Sequence, residues 1–180
     1  MLRIQTIVTE KHPAYATSTD FCTVFTEDAE NLYLLSFLLT ADEVKAEVCF
    51  VSGFEACAQG NVVFREWARS WARRTIVQNA VRMLMPQPYH GSVMPVPRET
   101  TSCKFARTWE ANAAIASILG LETFERFVFI LSVLCEYSDQ DCSILLECPR
   151  RNVAEVKVLA LQHVAESSEI RQISSLMVAV

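Results

Sequence analysis

Arg65, Arg69 and Arg73 recur every four residues, a spacing that sets three guanidinium groups in one row along a helix. Such a row suits phosphates, because each planar fork can donate two hydrogen bonds to a phosphate and never loses its charge. Arg74 and Arg82 extend the positive charge, so residues 64–84 hold five arginines against one acid, Glu66. Trp67 and Trp71 make a second row a little around the cylinder, and Asn79 adds an amide further along. An exposed tryptophan stacks on an unpaired base at about 1–3 kcal/mol per base. Large aromatics are more usually buried, so the core is the favoured place for both tryptophans. The arginine row reads as a face toward DNA, toward an acidic partner, or simply toward solvent.

A second constellation spans residues 137–164, which read as two short helices joined by a tight turn. Ser138 is placed to cap the first helix by accepting its orphan amides, and Ile144, Leu145 and Leu146 supply apolar positions. The helix is expected to stop at Cys148. Pro149 lacks an amide hydrogen and suits the entry of the next helix, organised by Val153, Val156, Leu159, Ala160 and Val164 at helical spacing. Arg150, Arg151, Asn152 and Lys157 are left on its outer side. This is how a helix-turn-helix presents side chains to a DNA major groove, although an ordinary helical hairpin with a solvated charged face has the same pattern.

The C-terminal third resembles a bacterial RNA polymerase sigma factor of the extracytoplasmic-function class. Glu125, Arg126, Val128, Phe129, Leu131, Leu134, Tyr137, Ser138, Asp141, Leu145, Val153, Ala160 and Leu161 fall in the matching places of that family's second conserved domain. The departures are Pro149 to Asn152, where small polar residues normally open the recognition helix, and the acidic Glu155. Residues 38–84 are similar to the family's first conserved domain. There the resemblance implies that one helix binds core RNA polymerase, with Glu43, Glu47, Val48, Val51 and Phe54 as its contact positions. Val48 and Val51 stand where the family has an acidic and an amide residue. The next helix would melt and read the promoter, with Arg65, Arg69, Arg73, Arg74, Asn79 and Arg82 on DNA. Implied partners are therefore core RNA polymerase, promoter DNA and an inhibitory anti-sigma protein; the alternative is a sigma-like interaction or regulatory protein that has lost promoter reading.

The elements that must position these residues are helices. The expected fold is all-α, with two small helical domains joined by a proline-rich linker, the C-terminal one containing the helix-turn-helix. The boundaries read as an N-terminal arm at 1–25, a helical domain at 26–85, a linker at 86–108 with four prolines, and a second domain at 109–180. Helices are expected near 28–39, 42–58, 63–84, 109–119, 123–136, 139–147 and 151–165. The arm, rich in threonine, is ambiguous between an extended segment and a strand, and the apolar tail 173–180 fits a last helical turn, a strand or an interaction element.

With 180 residues, half of them hydrophobic, the chain can bury one or two small cores. Its net charge of −5 is unusual for a stand-alone DNA binder, whose affinity comes largely from neutralising phosphates. A subunit docked on a larger polymerase tolerates it. Acidity concentrates in residues 1–64, where nine carboxylates face three lysines or arginines, separating an acidic docking half from the basic helix.

Seven cysteines include no CxxC pair, and a zinc site from Cys135, Cys142, Cys148 and His163 lacks the usual close spacing, so no metal is expected. An odd cysteine count without a signal peptide points to the reducing cytoplasm. No cofactor is implied: glycine-rich phosphate loops and catalytic motifs are missing, His12, His90 and His163 are scattered, and the reading is not an enzyme. The longest apolar runs, 32–39 and 127–134, fall short of the ~20 residues that span a membrane.

Overall fold

The computed structural model describes residues 15–59, 62–88 and 113–178. Every regular element among them is helical, apart from a lone antiparallel bridge between Tyr15 and Phe64.

In the first half, α1 (Ser18–Glu27) starts at a capping box. The Thr17 hydroxyl accepts from the Asp20 amide while the Asp20 carboxylate accepts from the Thr17 amide. Phe21 and Phe25, one turn apart, are buried. The expected arm or strand is thus helical over residues 18–25; the cap and two aromatic anchors outweigh the strand preference of its threonines. The rest of the expected arm up to residue 14 lies outside the described residues. α2 (Ala29–Thr40) ends on Ala41 in the left-handed region (φ 51), whose amide donates to Phe37 O. Asp42 then caps α3 (Glu43–Ala58) by accepting from the Lys45 amide at 2.9 Å.

A 3-10 turn, Arg65–Trp67, feeds α4 (Ala68–Leu84), which packs along α3 and α2. Gly53 is the point of closest approach. A Cβ added there would lie 2.9 Å from Cγ1 of the fully buried Ile76, so glycine is what lets α3 and α4 come together, at a helix-propensity cost of about 1 kcal/mol relative to Ala.

The second half comprises α5 (Ala113–Gly120), α6 (Thr123–Phe129), a π-helical turn (Ile130–Leu134), α7 (Asp139–Leu145) and α8 (Arg150–Val178). Residues 126–132 are buried without interruption, as expected of a helix enclosed on all sides. The expected helix over 123–136 is therefore present, with its last turn widened. The Cys135 amide reaches back five residues to Ile130 O at 2.9 Å, and Glu136 takes a positive φ of 56°. α8 runs well past the expected end at 165, carrying the tail as helix to Val178.

Buried side chains of both halves belong to one hydrophobic cluster, from Phe21 and Leu39 to Phe127 and Val153. Arg126, 1% exposed, sits at the junction, where it donates to Leu121 O (3.1 Å) and across to Leu39 O of α2 (3.4 Å). Of the proline-rich segment, only residues 86–88 are described.

Candidate nucleic-acid interface

The arginine row forms as expected, but not toward open solvent alone. Arg65 donates through Nε and Nη2 to Asp20 Oδ1 at 2.8 and 2.5 Å; Arg69 Nη2 lies 3.4 Å from Glu27 Oε2; Arg73 Nη2 lies 3.5 Å from Asp28 Oδ2. Arg65 on the 3-10 turn and Arg69 and Arg73 on α4 thus each meet a carboxylate of α1 or its C-cap. The three pairs differ in how firmly they are held. Asp20 is locked in the capping box, and the Thr17 amide, with Arg65 next, holds its carboxyl down at about 2. Asp28 has only 7% of its side chain exposed and also accepts from Asn31 Nδ2 at 2.6 Å. The Arg69–Glu27 pair has both partners more than half exposed. α1 was not read as a helix in the sequence, so this ladder went unseen; Asp20, Glu27 and Asp28 share one face only at helical spacing.

Beside Arg65 lies an exposed aromatic surface. Tyr15 and Phe64 stack with centroids 5.1 Å apart at 19°, and Trp67 meets Phe64 edge-on at 5.3 Å and 86°. Trp67 is 57% exposed, contrary to the expectation of a core residue, whereas Trp71 is half-buried against the core. Trp67 ends the 3-10 turn that precedes α4, whereas Trp71 lies within the helix. Tyr15 and Phe64 are held together by the Ala16 amide donating to Val63 O at 2.7 Å.

The remaining predicted residues of α4 diverge. Arg82 is exposed and Arg74 half-buried; among the described residues neither faces a carboxylate at ion-pair distance. Arg74 approaches Tyr137, whose hydroxyl is pushed up chiefly by burial while the Arg74 charge opposes. Asn79 turns its amide nitrogen inward near Gly53, closed off from solvent.

On α3, Val44, Val48 and Val51 form an exposed apolar stripe, 70%, 50% and 45% exposed, with Glu47 open beside them. Glu43 sits half-buried at the start of the helix. Phe54 turns away from the stripe to pack edge-on against Phe25 at 5.3 Å, supporting the helix from beneath.

At the other end of the molecule, Ser138 caps α7 as anticipated, accepting from the Asp141 amide at 3.1 Å. The turn to α8 closes through Glu147 at φ 50° and the Ser143 hydroxyl donating to Cys148 O at 2.6 Å. The helix stops at Leu145, slightly before Cys148. Lys157 Nζ lies 3.7 Å from Asp139, tying α8 to α7, and Asn152 is half-buried. Arg150 and Arg151 stand open at the start of α8, Arg151 Nε lying 3.1 Å from Glu155 Oε1 of its own helix.

A cleft of about 340 Å³ opens between α5, α6 and α8, but Glu122, Glu125 and Glu166 line it, with His163 Nδ1 3.2 Å from Glu125 Oε2, so it repels phosphate. Among the described residues no group of three or more His, Cys, Asp or Glu side chains is placed to hold a metal ion. Burial pushes the Cys49 and Cys142 thiols up to about 11. No helix among the described residues is long and apolar enough to cross a membrane.

No protein-family model matches the sequence, and no curated protein matches it significantly.

Proposed function

We propose that this chain is a sigma-like transcription initiation factor acting in the cytoplasm. It docks on core RNA polymerase through α3 and meets promoter DNA through the aromatic and arginine face around the start of α4 and through the start of α8. The observation that carries this reading is the exposed Tyr15–Phe64–Trp67 cluster, with Arg65 in the same 3-10 turn as Trp67. These three large aromatics are 41–57% exposed, so each forgoes about half of the roughly 1.5–3 kcal/mol that full burial of a side chain the size of Phe is worth. Flat rings beside guanidinium groups are what an unpaired base and its phosphate require. The exposed valine stripe of α3, with Glu47 beside it, supports the docking half of the reading, since apolar stripes of this kind mark partner surfaces.

The test is capture of purified core RNA polymerase by the wild type and by a Val48→Glu, Val51→Glu double variant. Wild-type capture that the variant loses is expected; equal capture by both removes α3 as the docking helix, and no capture by the wild type removes the function. One observation favours the alternative, a sigma-like docking protein without promoter reading: the carboxylates of α1 give Arg65, Arg69 and Arg73 a structural use that needs no DNA.

A further inference from the structure

Residues 64–84 carry a formal +4, yet Asp20, Glu27 and Asp28 lie against three of the five arginines and bring that face to about +1. Non-specific affinity for nucleic acid scales with the phosphates a protein neutralises, at roughly 0.9 of salt slope per contact, so three committed arginines are a large loss. The commitment is uneven. Arg65 makes two bonds to a carboxylate fixed by the Thr17 cap, and Arg73 faces one that is almost enclosed. Arg69 and Glu27 meet at 3.4 Å with 54% and 62% of their side chains exposed, and such pairs contribute little and exchange readily. Arg69 lies on the first turn of α4, two residues beyond the exposed Trp67.

We propose that α1 is an electrostatic mask over the nucleic-acid face: Asp20, Glu27 and Asp28 occupy the arginines, and an incoming phosphate gains Arg69 by displacing Glu27. The inference rests on the nucleic-acid reading above and adds its regulation. Arg65, with two hydrogen bonds to Asp20, stays bound to α1, while Arg69, whose carboxylate partner is itself exposed, is the exchangeable member. Binding is weakened in the free protein and becomes dependent on a partner or strand that can compete with Glu27.

The test is fluorescence anisotropy of a labelled oligothymidine of ~20 nucleotides, titrated with wild type, Glu27→Gln, Arg69→Gln and the double variant at several salt concentrations. Glu27 is exposed, so its substitution leaves the fold intact. Glu27→Gln should tighten binding about threefold and steepen the salt slope by about 0.7, as gain of one phosphate contact on a single strand does, and the gain should vanish in the Arg69→Gln background. The same gain in both backgrounds shows a bulk charge effect and overturns the mask. So does wild-type binding that Glu27→Gln leaves unchanged, with the nucleic-acid reading still standing. Absence of binding by all four proteins at low salt overturns both.

Discussion

The arginines of α4 and those of α8 are built into the molecule in opposite ways. Arg65 on the 3-10 turn and Arg69 and Arg73 on α4 lie against carboxylates of α1 or its C-cap, 42 to 45 residues earlier in the chain. At the start of α8, Arg150 and Arg151 project from a helix end, where among the described residues Glu155 of the same helix is the one carboxylate at ion-pair distance, from Arg151. The first set holds two helices together whatever else it does. Among the described residues the second set links no two helices. A cationic row is therefore ambiguous evidence for nucleic acid where it faces a second helix, and clearer evidence where it does not.

Charge reversal separates the two regions most sharply. Arg73→Glu sets a new carboxylate against the nearly enclosed Asp28 and should cost roughly 2–4 kcal/mol in urea unfolding. Arg151→Glu should change stability by no more than ~0.5 kcal/mol, as surface substitutions do. Equal costs would erase the distinction. A functional test that reverses Arg73 together with Arg74 therefore confounds folding with DNA contact, and Arg150 with Arg151 is the cleaner pair.

The seat of α4 gives the next effect. Gly53→Ala drives a methyl into Ile76, an overpacking cost of about 1–3 kcal/mol offset by up to about 1 kcal/mol of helix propensity. A net loss near 1 kcal/mol in urea unfolding is expected, and a gain would mean that α3 and α4 separate without penalty.

A smaller effect comes from pH. Asp20 is held at about 2 in the folded protein against 3.8 ordinarily, so its contribution is complete above about pH 4 and is lost as pH falls toward 2. Asp20→Asn should flatten that part of the stability profile, whereas Glu155→Gln beside Arg151 should leave it unchanged. The smallest change is in affinity at constant stability: Arg150→Gln with Arg151→Gln should weaken duplex DNA binding several-fold, with the melting temperature unmoved.

Much of the helical architecture was legible because its signals are local. Ser138 accepting from Asp141, Asp42 opening α3, and Pro149 just ahead of α8 are each decided within four residues. The misreadings arose where distant contacts decide. Residues 18–25 looked extended until Phe21 and Phe25 found the core, and the Tyr15–Phe64 stack joins residues 49 apart. Trp67 is expected in the core because large aromatics usually are buried, yet it lies 57% exposed at the end of a short 3-10 turn. The arginine row was visible, but its carboxylate partners were not, because recognising them required α1 to be a helix.

The account turns on Trp67 and the polymerase together. Promoter-directed run-off transcription with core RNA polymerase on fragmented genomic DNA, comparing wild type with Trp67→Ala, tests it most directly. The account predicts polymerase capture by both proteins, with new transcripts from the wild type alone. Transcripts undiminished by Trp67→Ala, or a wild type that neither captures polymerase nor yields transcripts, would contradict it.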